Sequence, residues 1–216
     1  MSNKSDVSSP KRILVTIEGN IGGGKSTMIG HLRELYPNYK IIDEPVDQWL
    51  GMKDSDGKSL LELFYTDKKR WSYTFQNCAF ITRYLSAYEA LSKPITEDTV
   101  YVSERGILTD RYVFATMLRD DGYLSDIEWT LYTKWFDHFK SLVKAQGIIY
   151  ITTDAHICKE RIGIRGRTGE DGIPQEYLDE LGMYHERWLE ATDVPVLRIS
   201  SDRENCKEIE KFIGEL

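Results

Sequence analysis

The sequence predicts an α/β fold built on a parallel sheet, and three observations carry that prediction. Short β-branched runs alternate with longer segments of helical period along the 216 residues. A glycine-rich segment joins the first β-branched run to the first helical one. The balance of 41% hydrophobic and 29% charged residues is that of a globular chain, not a disordered or fibrous one.

Strands are read at Ile13–Glu18, Lys40–Asp43, Val100–Ser103, Ile148–Thr152 and Val194–Ile199. Helical stretches lie between and after them, at Lys25–Leu35, Trp71–Leu91, Ser125–Val143, Ala155–Ile164, Pro174–Glu190 and Arg203–Ile213. Asp154, Asp202 and the Ile173-Pro174 step read as helix starts, since a side-chain oxygen or a proline suits the unbonded first turn. Trp129, Tyr132, Phe136, Phe139 and Val143 make one apolar stripe, read as core in preference to a subunit interface.

Length fits a polar, flexible tail over residues 1–12 and a single domain over 13–216. No apolar run approaches the length of a membrane span. The tail lacks an apolar stretch like that of a signal peptide, so a cytoplasmic protein is expected. Cys78, Cys158 and Cys206 share no metal-ligand spacing, and an odd count argues against a disulfide framework. A formal charge of −7 disfavours nucleic acid as a partner. Phosphate chemistry, if present, must rely on cations gathered locally.

The strongest local signal is Gly19-Asn20-Ile21-Gly22-Gly23-Gly24-Lys25-Ser26, followed by Thr27, which matches GxxxxGK[ST] between a strand and a helix. Glycines let backbone N–H groups converge on phosphate oxygens, and the helix N-terminus adds a favourable dipole. Lys25 then reaches the outer phosphates of ATP, and the Ser26 hydroxyl ligates Mg²⁺. The fold class is thus a P-loop NTPase-type parallel sheet flanked by helices. A P-loop alone names no acceptor.

Two further strand ends carry acids. Glu44 follows the second strand, and Glu104-Arg105 follows the third, on the edge where ligands of parallel sheets bind. Each could be a turn residue or plain salt bridge; three apt groups after three successive strands favour a site, with a carboxylate to take a hydroxyl proton and an acid to hold Mg²⁺. Arg161, Arg165 and Arg167 close a helix and enter a glycine-flanked loop, either a solvated basic helix end or a lid over a transferring phosphoryl group. Gln76, Ala79 and Arg83 share one helical face, with Phe75 and Phe80 near it. That face is an ordinary amphipathic one or a pocket in which the glutamine amide meets a nucleobase edge.

Several segments, in order and spacing, resemble the deoxyribonucleoside kinase family, in the branch holding deoxycytidine, deoxyguanosine and mitochondrial thymidine kinases. They are Gly19–Thr27, Glu44-Pro-Val with Trp49, Tyr65 and Arg70 through Gln76, Glu104-Arg105 with Asp110 through Phe114, and Arg161 through Tyr177. The resemblance implies a five-stranded parallel sheet and phosphorylation of a nucleoside 5′-hydroxyl. It makes Glu44 the general base, steadied by Arg105, with Glu104 and Ser26 arranging Mg²⁺; the alternative, Glu104 as proton acceptor, stays open. It puts Gln76 on the base edge, Phe114 in a stack on the base, and Trp49, Ala79, Arg83 and Asp110 around it. Tyr65 and Glu170 would bind the 3′-hydroxyl, Tyr65 also crowding the 2′ position. Arg161, Arg165 and Arg167 would form the lid, and the loop with Asp202, Arg203 and Glu204 would cover the adenine.

The family's homodimer packs helices matching Trp71–Leu91 and Leu124–Val143, which would reassign part of the apolar stripe. The Arg83–Asp110 pair implies purine deoxynucleosides or deoxycytidine over thymidine. Gly23 and Gly106 depart from the family pattern, which often has a small hydroxyl or methyl residue there. A nucleoside monophosphate kinase and a nucleotide-binding module without catalysis are the rival readings. The tyrosine, glutamate and glutamine set favours an uncharged acceptor.

Overall fold

The computed structural model describes residues 9–170 and 172–216. Five strands, β1 (Arg12–Glu18), β2 (Lys40–Ile42), β3 (Thr99–Glu104), β4 (Gly147–Ile151) and β5 (Val196–Ile199), form one sheet in the order β2–β3–β1–β4–β5. Every pairing is parallel, so each connection must cross over through helix. The helices are α1 (Lys25–Leu35), α2 (Val46–Gly51), α3 (Leu60–Thr66), α4 (Lys68–Ser92), α5 (Ile107–Thr109), α6 (Thr116–Asp120), α7 (Asp126–Phe139), α8 (Ala155–Arg165), α9 (Gln175–Ala191) and α10 (Cys206–Gly214). A π-helical segment, Asp110–Ala115, joins α5 to α6. None of the described helices is long and apolar enough to cross a membrane.

Alternation along the strands assigns the two faces. Val15, Ile17, Ile149 and Ile151 pack with Met28 and Leu32 of α1 and Ile209 and Ile213 of α10. On the other face Leu14 and Tyr101 meet Phe64, Phe80, Tyr132 and Phe136, from α3, α4 and α7. Ile148 and Tyr150 meet Cys158 and Ile162 of α8 and Leu178 and Leu181 of α9. Strands β1 and β4 are buried on both faces because both are covered. From the adjacent strands β1 and β3 the chain leaves in opposite directions, to β2 on one side and β4 on the other, which opens a crevice at their carboxyl ends.

Residues 1–8 of the expected tail lie outside the described residues. The boundary at residue 12 shifts, because Arg12 pairs with Thr99 in the sheet and Lys11 N–H donates to Asp98 Oδ1 at 2.8 Å. Asp154 caps α8 by accepting from His156 N–H, and Pro174 precedes α9, as expected of helix starts. Asp202 makes no side-chain cap.

Three helical regions are absent from the sequence reading: α2, α3, and the run from α5 through α6. The first has six residues and opens on Pro45 with no side-chain cap. The second opens on a capping box, Ser59 with Glu62, a signal that was present in the sequence. In the third, a π segment breaks the 3.6-residue period on which helix recognition rests. The stripe of α7 is core: Tyr132 and Phe136 are fully buried. A second row on that helix, Ile127, Leu131 and Trp135, is exposed instead.

Candidate active site

A cavity of about 740 Å³ opens at the carboxyl ends of β1, β2 and β3. Its phosphate end is the loop Ile21 to Gly24, with Lys25, Ser26 and Thr27 of α1 behind it. Gly24 ends that loop at φ 93 without a capping side chain, so the first N–H groups of α1 stay open to a phosphate. A Cβ there would also stand 2.6 Å from Ser201 Cβ. Lys25 folds back over the loop, its Nζ donating to Asn20 O at 2.7 Å and Gly19 O at 3.3 Å. Burial, aided by Arg105, lowers its pKa to about 7 against the pull of Glu44, Glu104 and Glu18.

Neither Gly19 nor Asn20 lines the cavity. The Asn20 amide instead donates to Leu178 O at 2.8 Å and accepts from Ile21 N–H, tying the loop to α9. Ser26 Oγ donates to Glu104 Oε1 at 2.7 Å. Two hard oxygens so placed fit Mg²⁺, which takes few protein ligands and fills its shell with water and phosphate.

The neighbouring wall is an ionic cluster. Glu44 Oε1 accepts from Arg83 Nη2 at 2.7 Å and lies 3.2 Å from Arg105 Nε. Burial would raise the Glu44 pKa, but Arg105, Arg83 and Lys25 together bring it down to about 2. Arg83 also pairs with Asp110, whose carboxyl burial pushes up against that attraction. The Arg105 guanidinium sits 5.0 Å from the Phe114 ring centroid, and that of Arg83 5.3 Å from Trp49. Trp49 is fixed in turn by its indole N–H, which donates to Thr82 Oγ1 at 2.9 Å.

Gln76, Ala79 and Arg83 of α4 all face this cavity, with Tyr65 of α3 and Phe114 of the π segment. Gln76 Oε1 and Asp110 Oδ2 are buried with no hydrogen-bond partner among the described residues. Tyr65 stays protonated, its pKa raised by burial and by Tyr177 and Glu170. Phe80 does not belong here: it turns into the core against Tyr132 and Phe136.

The arginine segment reaches the same cavity through Arg161, Arg165 and Arg167. Arg161 lies over the loop, its Nη1 3.2 Å from where a Gly24 Cβ would be. Arg165 and Arg167 both pair with Glu170, the latter at 3.0 Å, and Glu170 is 3% exposed, so its charge is answered entirely within the lid. Of the loop expected over the adenine, Asp202 lines the cavity. Arg203 does not; it turns to Glu34 of α1 at 2.6 Å, and the neighbouring Glu204 is exposed on a short 3₁₀ turn. Phe75 lines the cavity as read from the sequence, and Val46 and Leu61 line it without having been singled out, for apolar wall residues carry no motif. Gly106 is a point of close approach, since a Cβ would come 2.7 Å from Thr16 Cγ2.

Fold and site together define a P-loop phosphotransferase with a second, partly apolar compartment beside the phosphate loop. The chain belongs to the deoxynucleoside kinase family, whose model matches residues 15–216. Among its relatives are a chicken deoxycytidine kinase 2, 35% identical over 94% of this chain and 82% of the relative, and human deoxycytidine kinase, 35% identical over 81% and 74%. A mitochondrial deoxyguanosine kinase of Xenopus laevis is 33% identical over 87% and 78%. ATP is accordingly the phosphoryl donor and a deoxynucleoside the acceptor.

Proposed function

We propose that the chain phosphorylates the 5′-hydroxyl of deoxynucleosides whose base carries an exocyclic amine, deoxycytidine or a purine, in preference to thymidine. The observation that supports this reading is the pair of unpartnered buried acceptors, Gln76 Oε1 and Asp110 Oδ2, on one wall of the cavity. Both gain a hydrogen bond from an amine; thymine still offers its N3–H to the Gln76 amide, which can turn over, but presents only a carbonyl towards Asp110 and leaves that oxygen unmatched, a loss of about 1–3 kcal/mol or roughly ten- to a hundredfold.

Tyr65 and Glu170 flank the sugar end, and Trp49 and Phe114 enclose the base. Glu44, ionised at any working pH, orients the 5′-hydroxyl and takes its proton; a weak base suffices because little proton transfer precedes a dissociative phosphoryl transfer. Lys25 and the lid arginines meet charge on the phosphates. Ser26 and Glu104 would hold Mg²⁺, which would supply neutralisation of the phosphate charge.

Exposed Ile81, Leu85 and Tyr88 of α4, with Ile127, Leu131 and Trp135 of the adjoining α7, support a homodimer over these two helices.

The test is kcat/KM for the four deoxynucleosides at saturating Mg·ATP. Deoxycytidine or a purine deoxynucleoside is expected to lead and thymidine to trail; thymidine equal to the best of them would sink the base assignment. In the same assay Glu44→Gln is expected to lose ~10²–10⁴-fold in kcat while staying folded. Near-normal turnover would transfer the base role to Glu104.

A further inference from the structure

Arg105 reaches Glu44 from a backbone that ordinary residues avoid. Its φ is 64, the only positive value at a non-glycine among the described residues. A conformation of that kind costs about 1–3 kcal/mol and persists only where its surroundings over-determine it. The surroundings here are specific. Arg105 N–H donates to Ile17 O at 3.0 Å, continuing the β1–β3 ladder by one bond. Ser103 Oγ donates to Arg105 O at 2.8 Å from behind. The remaining side is held by Glu18, whose Oε1 accepts from Gly106 N–H at 2.9 Å and whose Oε2 accepts from the Thr109 hydroxyl.

Glu18 is fully buried and does not line the cavity, so it touches neither substrate. Burying a carboxylate is costly, and both oxygens of this one go to the turn carrying Arg105. Two residues back on the same face of β1, Thr16 presses its methyl group against Gly106, leaving no room for a Cβ. We propose that Glu18 is a positioning residue for phosphoryl transfer: it fixes the Arg105–Gly106 turn, so that the Arg105 guanidinium stays on Glu44 while the acceptor hydroxyl is engaged. The proposal rests on the kinase reading above.

The experiment measures kcat and KM for deoxycytidine and Mg·ATP. Glu18→Ala is expected to lower kcat on the order of 100-fold, the scale of an ångström-sized misplacement, with little change in KM for ATP. Glu18→Gln keeps both hydrogen bonds, its amide oxygen facing Gly106 N–H and its amide nitrogen the Thr109 hydroxyl oxygen, and is expected to recover most of that loss. Combined with Arg105→Ala, Glu18→Ala should add nothing further, since it acts through the same side chain. Wild-type kcat in Glu18→Ala, equal failure of the glutamine variant, or fully multiplicative losses in the double variant each overturn the proposal. Should Glu18→Ala not fold, Gly106→Ala perturbs the same turn by forcing a Cβ against Thr16 Cγ2. Its loss of kcat is expected to be relieved by adding Thr16→Ser, and a loss that persists overturns the proposal. No turnover by the unmodified protein defeats the kinase reading and this proposal together; turnover indifferent to Glu18 defeats the proposal alone.

Discussion

Lys25 carries a proton only part of the time before a nucleotide arrives. Burial and the nearby Arg105 hold its pKa at about 7. Phosphate oxygens favour the ammonium form and restore an ordinary lysine value, so binding at pH 8 draws a proton from solution. Titrating Mg·ATP calorimetrically in buffers of different ionisation enthalpy should show uptake at pH 8, absent in Lys25→Met. Equal proton exchange by the two proteins would mean Lys25 is already charged in the free enzyme. At this scale the sequence was most informative where chemistry dictates residue type and spacing together, as in Gly24-Lys25-Ser26. It misled where a side chain's direction matters: Asn20, Phe80 and Arg203 stand next to site residues and point elsewhere.

Among elements, α9 holds a buried histidine with no role in the chemistry. His185 Nδ1 contacts Leu181 O at 2.7 Å, and its ring stacks on Tyr150. Burial, with Arg105 and Lys25 also acting, lowers its pKa to about 3 from 6.5. The unfolded chain therefore binds a proton below pH 6.5 that the folded chain refuses until about pH 3, and stability is lost as pH falls through that window. His185→Phe removes this liability. Its stability relative to the parent should climb by about 1.4 kcal/mol per pH unit between pH 6 and pH 4, measured by urea unfolding; a pH-independent difference would show that His185 titrates normally. The five strands were legible as β-branched runs, and six of the helices because each is long enough for its period to show. The elements that were missed, α2, α3 and the π-interrupted run, carry Trp49, Tyr65, Asp110 and Phe114. The acceptor compartment was thus only partly readable: the α4 face of Gln76, Ala79 and Arg83 showed in the helical spacing, whereas its other walls are short helices set by tertiary packing, and only resemblance pointed to them.

For the molecule as a whole, the parallel sheet brings three strand ends to one edge, a result the alternation of strand and helix already implied. For the proposed homodimer, the resemblance pointed to two helices but not to the faces of them that would meet a second copy. The stripe visible in the sequence, Tyr132 and Phe136 above all, is consumed by the core, and the exposed row is offset from it on the same helix. Trp135→Glu with Leu85→Glu should convert a dimer in sedimentation to a monomer without unfolding, since both side chains are about half exposed in the single chain, at 51% and 53%. A variant that still sediments as a dimer would place the interface elsewhere.

The unpartnered Gln76 also has a consequence for heat resistance. A buried amide oxygen without a donor weakens the ligand-free fold, because it gives up water and receives nothing. Gln76→Leu, of similar size, should therefore melt at a higher temperature than the parent while recognising its nucleoside poorly. A thermal-shift series with and without deoxycytidine separates the two effects: the parent should gain more from the nucleoside than the variant, and start lower. Selection for thermotolerance alone would then erode this pocket from Gln76 outward, trading recognition for a drier core.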